Sequence, residues 1–157
     1  ALVLLGALSW IDLKRGILPD ELVLAFLIAG ATFHYLTHFT FIAPEDMAWG
    51  ALMGGGMLYA VRTLANFYYK QDALGLGDVK LLIAAGVWLG YQNVLIAIIA
   101  GAAAGIVHGL IAAFLQSRKN KTRMDLTSFS LPAGPGFAVG IIIAGVLKFW
   151  DFPAMLM

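Results

Sequence analysis

The chain has 157 residues, 61% of them hydrophobic and 12% charged, with 18 glycines, a formal charge of +1 and a mean hydropathy of +0.88. A soluble domain carries roughly 45–50% apolar and about 25% charged residues, so the composition excludes that class and points to an integral membrane protein. Long uncharged runs of Leu, Ile, Ala and Gly predict an all-α polytopic bundle, because barrel strands alternate apolar and polar residues over about ten positions.

In chain order, Ala1 to Ile11 is apolar and lacks an initiator Met, a basic n-region and an A-x-A site, which argues against a signal peptide. Eleven helical residues rise roughly 17 Å against a ~30 Å hydrocarbon core, so the first span is expected to begin upstream of Ala1. Leu22 to Pro44 contains no Asp, Glu, Lys or Arg and reads as the second span; Met47 to Tyr69, interrupted by Arg62, reads as the third. Leu81 to Ser117 is uncharged and too long for one crossing. Its polar centre, Gly90-Tyr91-Gln92-Asn93, predicts a turn between two antiparallel helices. Pro132 to Trp150 supplies the last span, entered through Pro132-Ala133-Gly134-Pro135-Gly136, a segment too rich in breakers to be helical throughout. The expectation is six transmembrane helices in a single domain, 1–157.

The basic residues orient these spans. Lys14 and Arg15 fall in the first loop, Lys70 in the third, and Arg118, Lys119, Lys121 and Arg123 in the fifth, while loops two and four hold none. The positive-inside rule makes the odd-numbered loops cytoplasmic and turns both chain ends outward. Gly50 with Gly54, and Gly101 with Gly105 and Gly109, form small-xxx-small rows expected to bring helices close.

Seven of the nine acidic residues lie in loops or at span ends where solvation suffices. Asp12, at the cytoplasmic end of span one, and Asp78, in Gly75-Leu76-Gly77-Asp78-Val79-Lys80 at the entry to span four, are placed by the topology at similar depth on one side. Such a pair suits acid–base hydrolysis of an amide: one ionised carboxyl takes a proton from water while a protonated partner polarises the carbonyl. Gly75 and Gly77 let another chain approach closely beside Asp78. For a membrane Asp taken singly, an ion pair or a helix cap is an equally sufficient role. Lys80, two residues beyond Asp78, is turned away from that carboxyl by a helix and suits loop anchoring or a polar contact with substrate. His34, His38 and His108 lack a metal-binding pattern and read as packing residues; no metal and no cofactor are expected.

Asp12-Leu13-Lys14-Arg15-Gly16-Ile17-Leu18-Pro19-Asp20-Glu21-Leu22, then Gly75-Leu76-Gly77-Asp78-Val79-Lys80-Leu81-Leu82, then Leu131-Pro132-Ala133-Gly134-Pro135, together resemble the type IV prepilin peptidases, GxGD aspartyl proteases of bacterial membranes. The resemblance covers essentially the whole chain in order. It implies that Asp12 and Asp78 are the catalytic pair. It also implies that Gly75, Gly77, Lys80, Pro19, Pro132, Gly134 and Pro135 shape the site or hold substrate. The implied reaction removes the short basic leader of type IV prepilins or type II secretion pseudopilins after a glycine, at the cytoplasmic face of the bacterial inner membrane. Prepilin leaders and the lipid bilayer are the implied partners, with no nucleic acid. Longer members of the family carry a cysteine-containing, zinc-binding region associated with N-methylation; this chain has no cysteine, so methyl transfer is not assigned to it. Val23 and Ala133 stand where the family often has Thr and Phe.

A second functional class is a small transporter or channel with the two carboxyls on an ion path. It is disfavoured by the one-sided placement of the pair and by the few polar groups at mid-depth in the spans. For substrate handling, Gln71 to Gly77 and Leu131 to Gly136 are the stretches whose irregular backbone is expected to receive an extended peptide.

Overall fold

The computed structural model describes residues 1–69, 75–120 and 134–150, and all the regular structure among them is helical. The elements are α1 (Leu2–Arg15), α2 (Asp20–Leu36), α3 (Pro44–Tyr69), α4 (Leu76–Asn120) and α5 (Gly134–Phe149).

Local chemistry sets the ends of these helices. α1 stops at Gly16, whose left-handed backbone (φ 64°, ψ 23°) lets its N–H return to the Asp12 carbonyl at 2.7 Å. α2 starts after Pro19, with Asp20 and Glu21 in the first turn, where negative charge suits the helix dipole. It ends at Leu36, short of the expected Pro44. The Thr37 hydroxyl donates to the Phe33 and His34 carbonyls at 2.9 and 3.2 Å, and His38 and Phe39 take positive φ. A side chain that competes for the last carbonyls thus stops a run that remains apolar. Pro44 then opens α3, a position where its missing N–H costs nothing.

α4 covers both helices expected after Asp78, and it breaks at Gly90 (φ 74°, ψ 175°). Gly54 of α3 lies against both Leu82 and Val94. In a straight helix those two positions would be about 18 Å apart, so the chain reverses at the glycine. The described residues therefore form six helical segments, counting the two arms of α4. By length and apolarity, one stretch, Leu76–Ile111, qualifies as membrane-spanning; α5 is apolar but shorter. α1 and α2, with 14 and 17 residues, rise only about 21 and 25 Å, so helix length alone does not show six crossings. α5 differs from expectation in another way: Gly134, Pro135 and Gly136 form its first turn. Proline is tolerated there, and Gly136 is buried against Gly101 and Gly105.

α4 is the centre of the bundle. It packs along α3 and α5 and more lightly on α2, while α1 packs on α5 and α2. The core is built from Leu5, Leu8, Phe26, Leu81, Leu82, Ala85, Leu89, Ala97, Phe137 and Ile141. Glycine seams allow these helices their close approach. A β-carbon on Gly50 would stand 2.8 Å from the carbonyl carbon of Gly90, and one on Gly136 would stand 2.9 Å from the Gly105 nitrogen. Along α2, Trp88 stacks between Phe26 and Phe33 and donates to the Phe26 carbonyl at 2.8 Å, with the buried His34 at its edge.

Gly50→Leu is expected to destabilise the protein in detergent by roughly 2–3 kcal/mol, because backbone has no room to yield. Gly56→Leu, at an exposed position with nothing within 4 Å, is expected to change stability by less than about 0.5 kcal/mol. Thermal unfolding of the two variants side by side checks the seam.

Candidate active site

Asp12 and Asp78 are the buried acidic residues among the described part of the chain, 5% and 6% exposed. The fold brings them to one cavity of about 260 Å³, lined also by Gly16, Ile17, Leu18, Asp20, Gly75, Leu76, Gly77 and Lys80. They reach it from opposite helix ends, Asp12 from the last turn of α1 and Asp78 from the first turn of α4.

The last turn of a helix is a poor place for a carboxylate, since the unsatisfied carbonyls there are negative. Asp12 is offset by α5, which runs antiparallel to α1 and presents its first residue. The Gly134 N–H donates to Asp12 Oδ2 at 3.1 Å. A β-carbon at Gly134 would lie 2.5 Å from that oxygen and 2.9 Å from the carboxyl carbon, so this approach requires glycine. Asp78 sits in a different setting. Its Oδ2 lies beside Gly75, where a β-carbon would come within 3.2 Å. Its Oδ1 is buried with no hydrogen-bond partner among the described residues. Gly77 leaves room for Leu18, whose β-carbon would be 2.9 Å from one added there.

Lys80 points away from Asp78. Its Nζ donates to both oxygens of Asp20, at 2.8 and 2.7 Å, in a partly exposed ion pair. Pro19 precedes α2 in extended backbone and is half-buried beside this pair. Pro135 lies in the first turn of α5. Pro132 and most of the expected peptide-receiving stretches, 71–74 and 131–133, lie outside the described residues. Sequence reasoning assigned Gly134 to a substrate lip and left Asp20 to solvent; the structure sets the first on Asp12 and the second on Lys80. Opposite charges at the starts of two helices flanking the same motif residues were the available signal for the Asp20–Lys80 pair. Nothing in the sequence announced the Gly134–Asp12 bond, which joins residues 122 positions apart.

Residues 1–110 match the type IV leader peptidase family. The chain belongs to that family. It is 32% identical over 136 residues to a prepilin leader peptidase/N-methyltransferase of Escherichia coli K12, covering 87% of this chain and 56% of that protein. It is 34% identical over 151 residues to the Pectobacterium carotovorum protein of the same name, covering 94% and 51%. A Burkholderia pseudomallei relative of that name is 40% identical over 105 residues, covering 64% and 33%. The chain thus spans about half the length of the curated relatives it matches. No solved structure matches it. The family match contains both Asp12 and Asp78, whereas α5, which supplies the donor to Asp12, lies beyond residue 110.

On the expectation that Asp12 acts in peptide-bond cleavage, Gly134→Ala, which would displace that carboxyl, is expected to lower the cleavage rate on the order of a hundredfold, as a displacement of about 1 Å would. Gly105→Ala, where an added β-carbon meets nothing within 4 Å, is expected to leave the rate within about twofold. Initial rates of the two purified variants check this.

Proposed function

We propose that the chain is a membrane-embedded aspartyl endopeptidase domain, spanning residues 1–157, that removes the basic leader of type IV prepilins or type II secretion pseudopilins. In this reading six helices cross the bacterial inner membrane, the odd-numbered loops and the Asp12–Asp78 cavity face the cytoplasm, and cleavage follows a glycine. The observation that carries it is the meeting of two buried carboxyls, from distant parts of a leader peptidase family chain, in one cavity.

Several features support the membrane setting. Ile96, Ile99, Ile106, Val107, Leu110 and Ile111 on α4 and Leu52, Leu64 and Phe67 on α3 are exposed. Apolar surface on that scale is unfavourable in water and suits lipid. Trp10 and Lys14, stacked at 4.6 Å near the end of α1 that carries Asp12, suit a membrane interface.

The two settings suggest distinct roles. Asp12, with the Gly134 N–H on Oδ2, acts as the ionised base; Asp78, whose Oδ1 meets no hydrogen-bond partner among the described residues, carries the proton. Asp12 takes a proton from a water whose oxygen bonds to the scissile carbonyl carbon, while Asp78 donates to the carbonyl oxygen. Collapse of the tetrahedral species returns that proton to Asp78 and breaks the C–N bond as Asp12 gives its proton to the leaving amine. The mechanism uses no metal.

Incubating the purified protein in detergent with a leader-bearing prepilin is expected to yield two fragments whose masses place the cut after a glycine, and prior chelation with EDTA is expected to leave the rate unchanged. Intact prepilin, together with proton or cation flux through the protein in liposomes, would instead support the transporter alternative.

A further inference from the structure

The two helices that carry the carboxyls do not pack along one another. α1 rests on α5 and α2, and α4 on α3, α5 and α2, so their relative position is transmitted mainly through shared neighbours. On the α5 side the link is the Gly134–Asp12 bond. On the other side it is the short segment 16–19 that joins α1 to α2. Two contacts with α4 are made here: Leu18 of that segment lies in the space left by Gly77, and Asp20, at the first position of α2, holds Lys80 in the first turn of α4 through both carboxylate oxygens. Leu18, Asp20, Gly77 and Lys80 all line the cavity of Asp12 and Asp78.

We propose that Asp20 is a positioning residue that, through Lys80, fixes the first turn of α4 against the α1–α2 segment and so sets the placement of Asp78 relative to Asp12. The proposal rests on the reading of those two aspartates as the catalytic pair. An ion pair this exposed contributes little to global stability. Its effect is geometric: two hydrogen bonds to one ammonium define where the α4 turn begins, and Leu18 against Gly77 blocks its approach from the same side. Lys80 reaches Asp20 because the residue two positions after Asp78 projects from a different face of the helix.

Asp20→Asn and Lys80→Met are expected each to lower kcat roughly tenfold or more with KM within about twofold, since a misplaced group costs turnover before it costs binding. The double variant is expected to be no worse than either single one, as both break the same contact. Lys80→Arg, which keeps two donors for the carboxylate, is expected to retain kcat within about threefold. A second readout needs no catalysis. The native chain has no cysteine, so spin labels at Leu13→Cys and Leu76→Cys, both exposed positions, report the spacing of the two helix ends. The distance distribution is expected to broaden or lengthen in the Asp20→Asn and Lys80→Met backgrounds and to recover with Lys80→Arg. An unchanged distribution in both backgrounds overturns the clamp, as does a rise in KM with kcat preserved, which would place the two side chains on substrate instead. Because the label distances do not depend on cleavage, a clamp that fails and a peptidase reading that fails give different results.

Discussion

Two carboxyl groups held out of water in one cavity impose a condition on the rest of the molecule: each must find compensation from backbone, since among the described residues no basic side chain is bonded to either. For Asp12 the condition is met by a single contact, the Gly134 N–H on Oδ2. That contact requires the first residue of α5 to reach the last turn of α1, an approach closed to any residue with a β-carbon. α5 can reach it because Gly136 and Gly140 seat it against Gly101 and Gly105 on the far arm of α4. The far arm is there because the chain reverses at Gly90, and the near arm of the same element delivers Asp78. The glycine seams are thus the means by which two distant aspartates come to one place, as well as a packing device.

This dependence explains which features were legible in the sequence. Asp12 and Asp78 stood out because charge is rare in the spans and their flanking motif is dense in glycine. The reversal near Gly90 was legible as polar residues in the middle of an overlong apolar run. The stop of α2 at Leu36 was not, since Thr37 competes for backbone carbonyls through geometry that hydropathy does not register. Nor was the helical first turn of α5, because Pro135 breaks a helix interior but not its start. The partners of Gly134 and Lys80 were hidden for a different reason. Both are contacts between residues far apart in sequence, 122 and 60 positions, and a single sequence carries no record of such pairings. The six crossings drawn from charge spacing also exceed what helix length supports, because α1 and α2 are shorter than a hydrocarbon core.

A one-sided cavity suits proteolysis better than transport. The carboxyls lie at helix ends with the loop 16–19 at their side, so in the proposed reading an extended peptide would reach them at one end of the bundle without entering it. Away from the carboxyls, Phe26, Trp88 and Phe33 stack beside the buried His34, and a cavity of about 660 Å³ against Phe26 and Trp88 is lined by apolar side chains, as is the core between. A proton or cation path would have to cross that apolar layer, where an unpaired charge is costly.

The central claim is that Asp12 and Asp78 act as one catalytic unit, and its most direct measurement is the turnover of prepilin by Asp12→Asn, Asp78→Asn and the double variant, each first shown to be folded by thermal unfolding in detergent. As a unit, each single variant is expected to lose at least about a thousandfold in kcat, with the double variant no slower than the slower single one. Near-normal turnover by either folded single variant would contradict the claim.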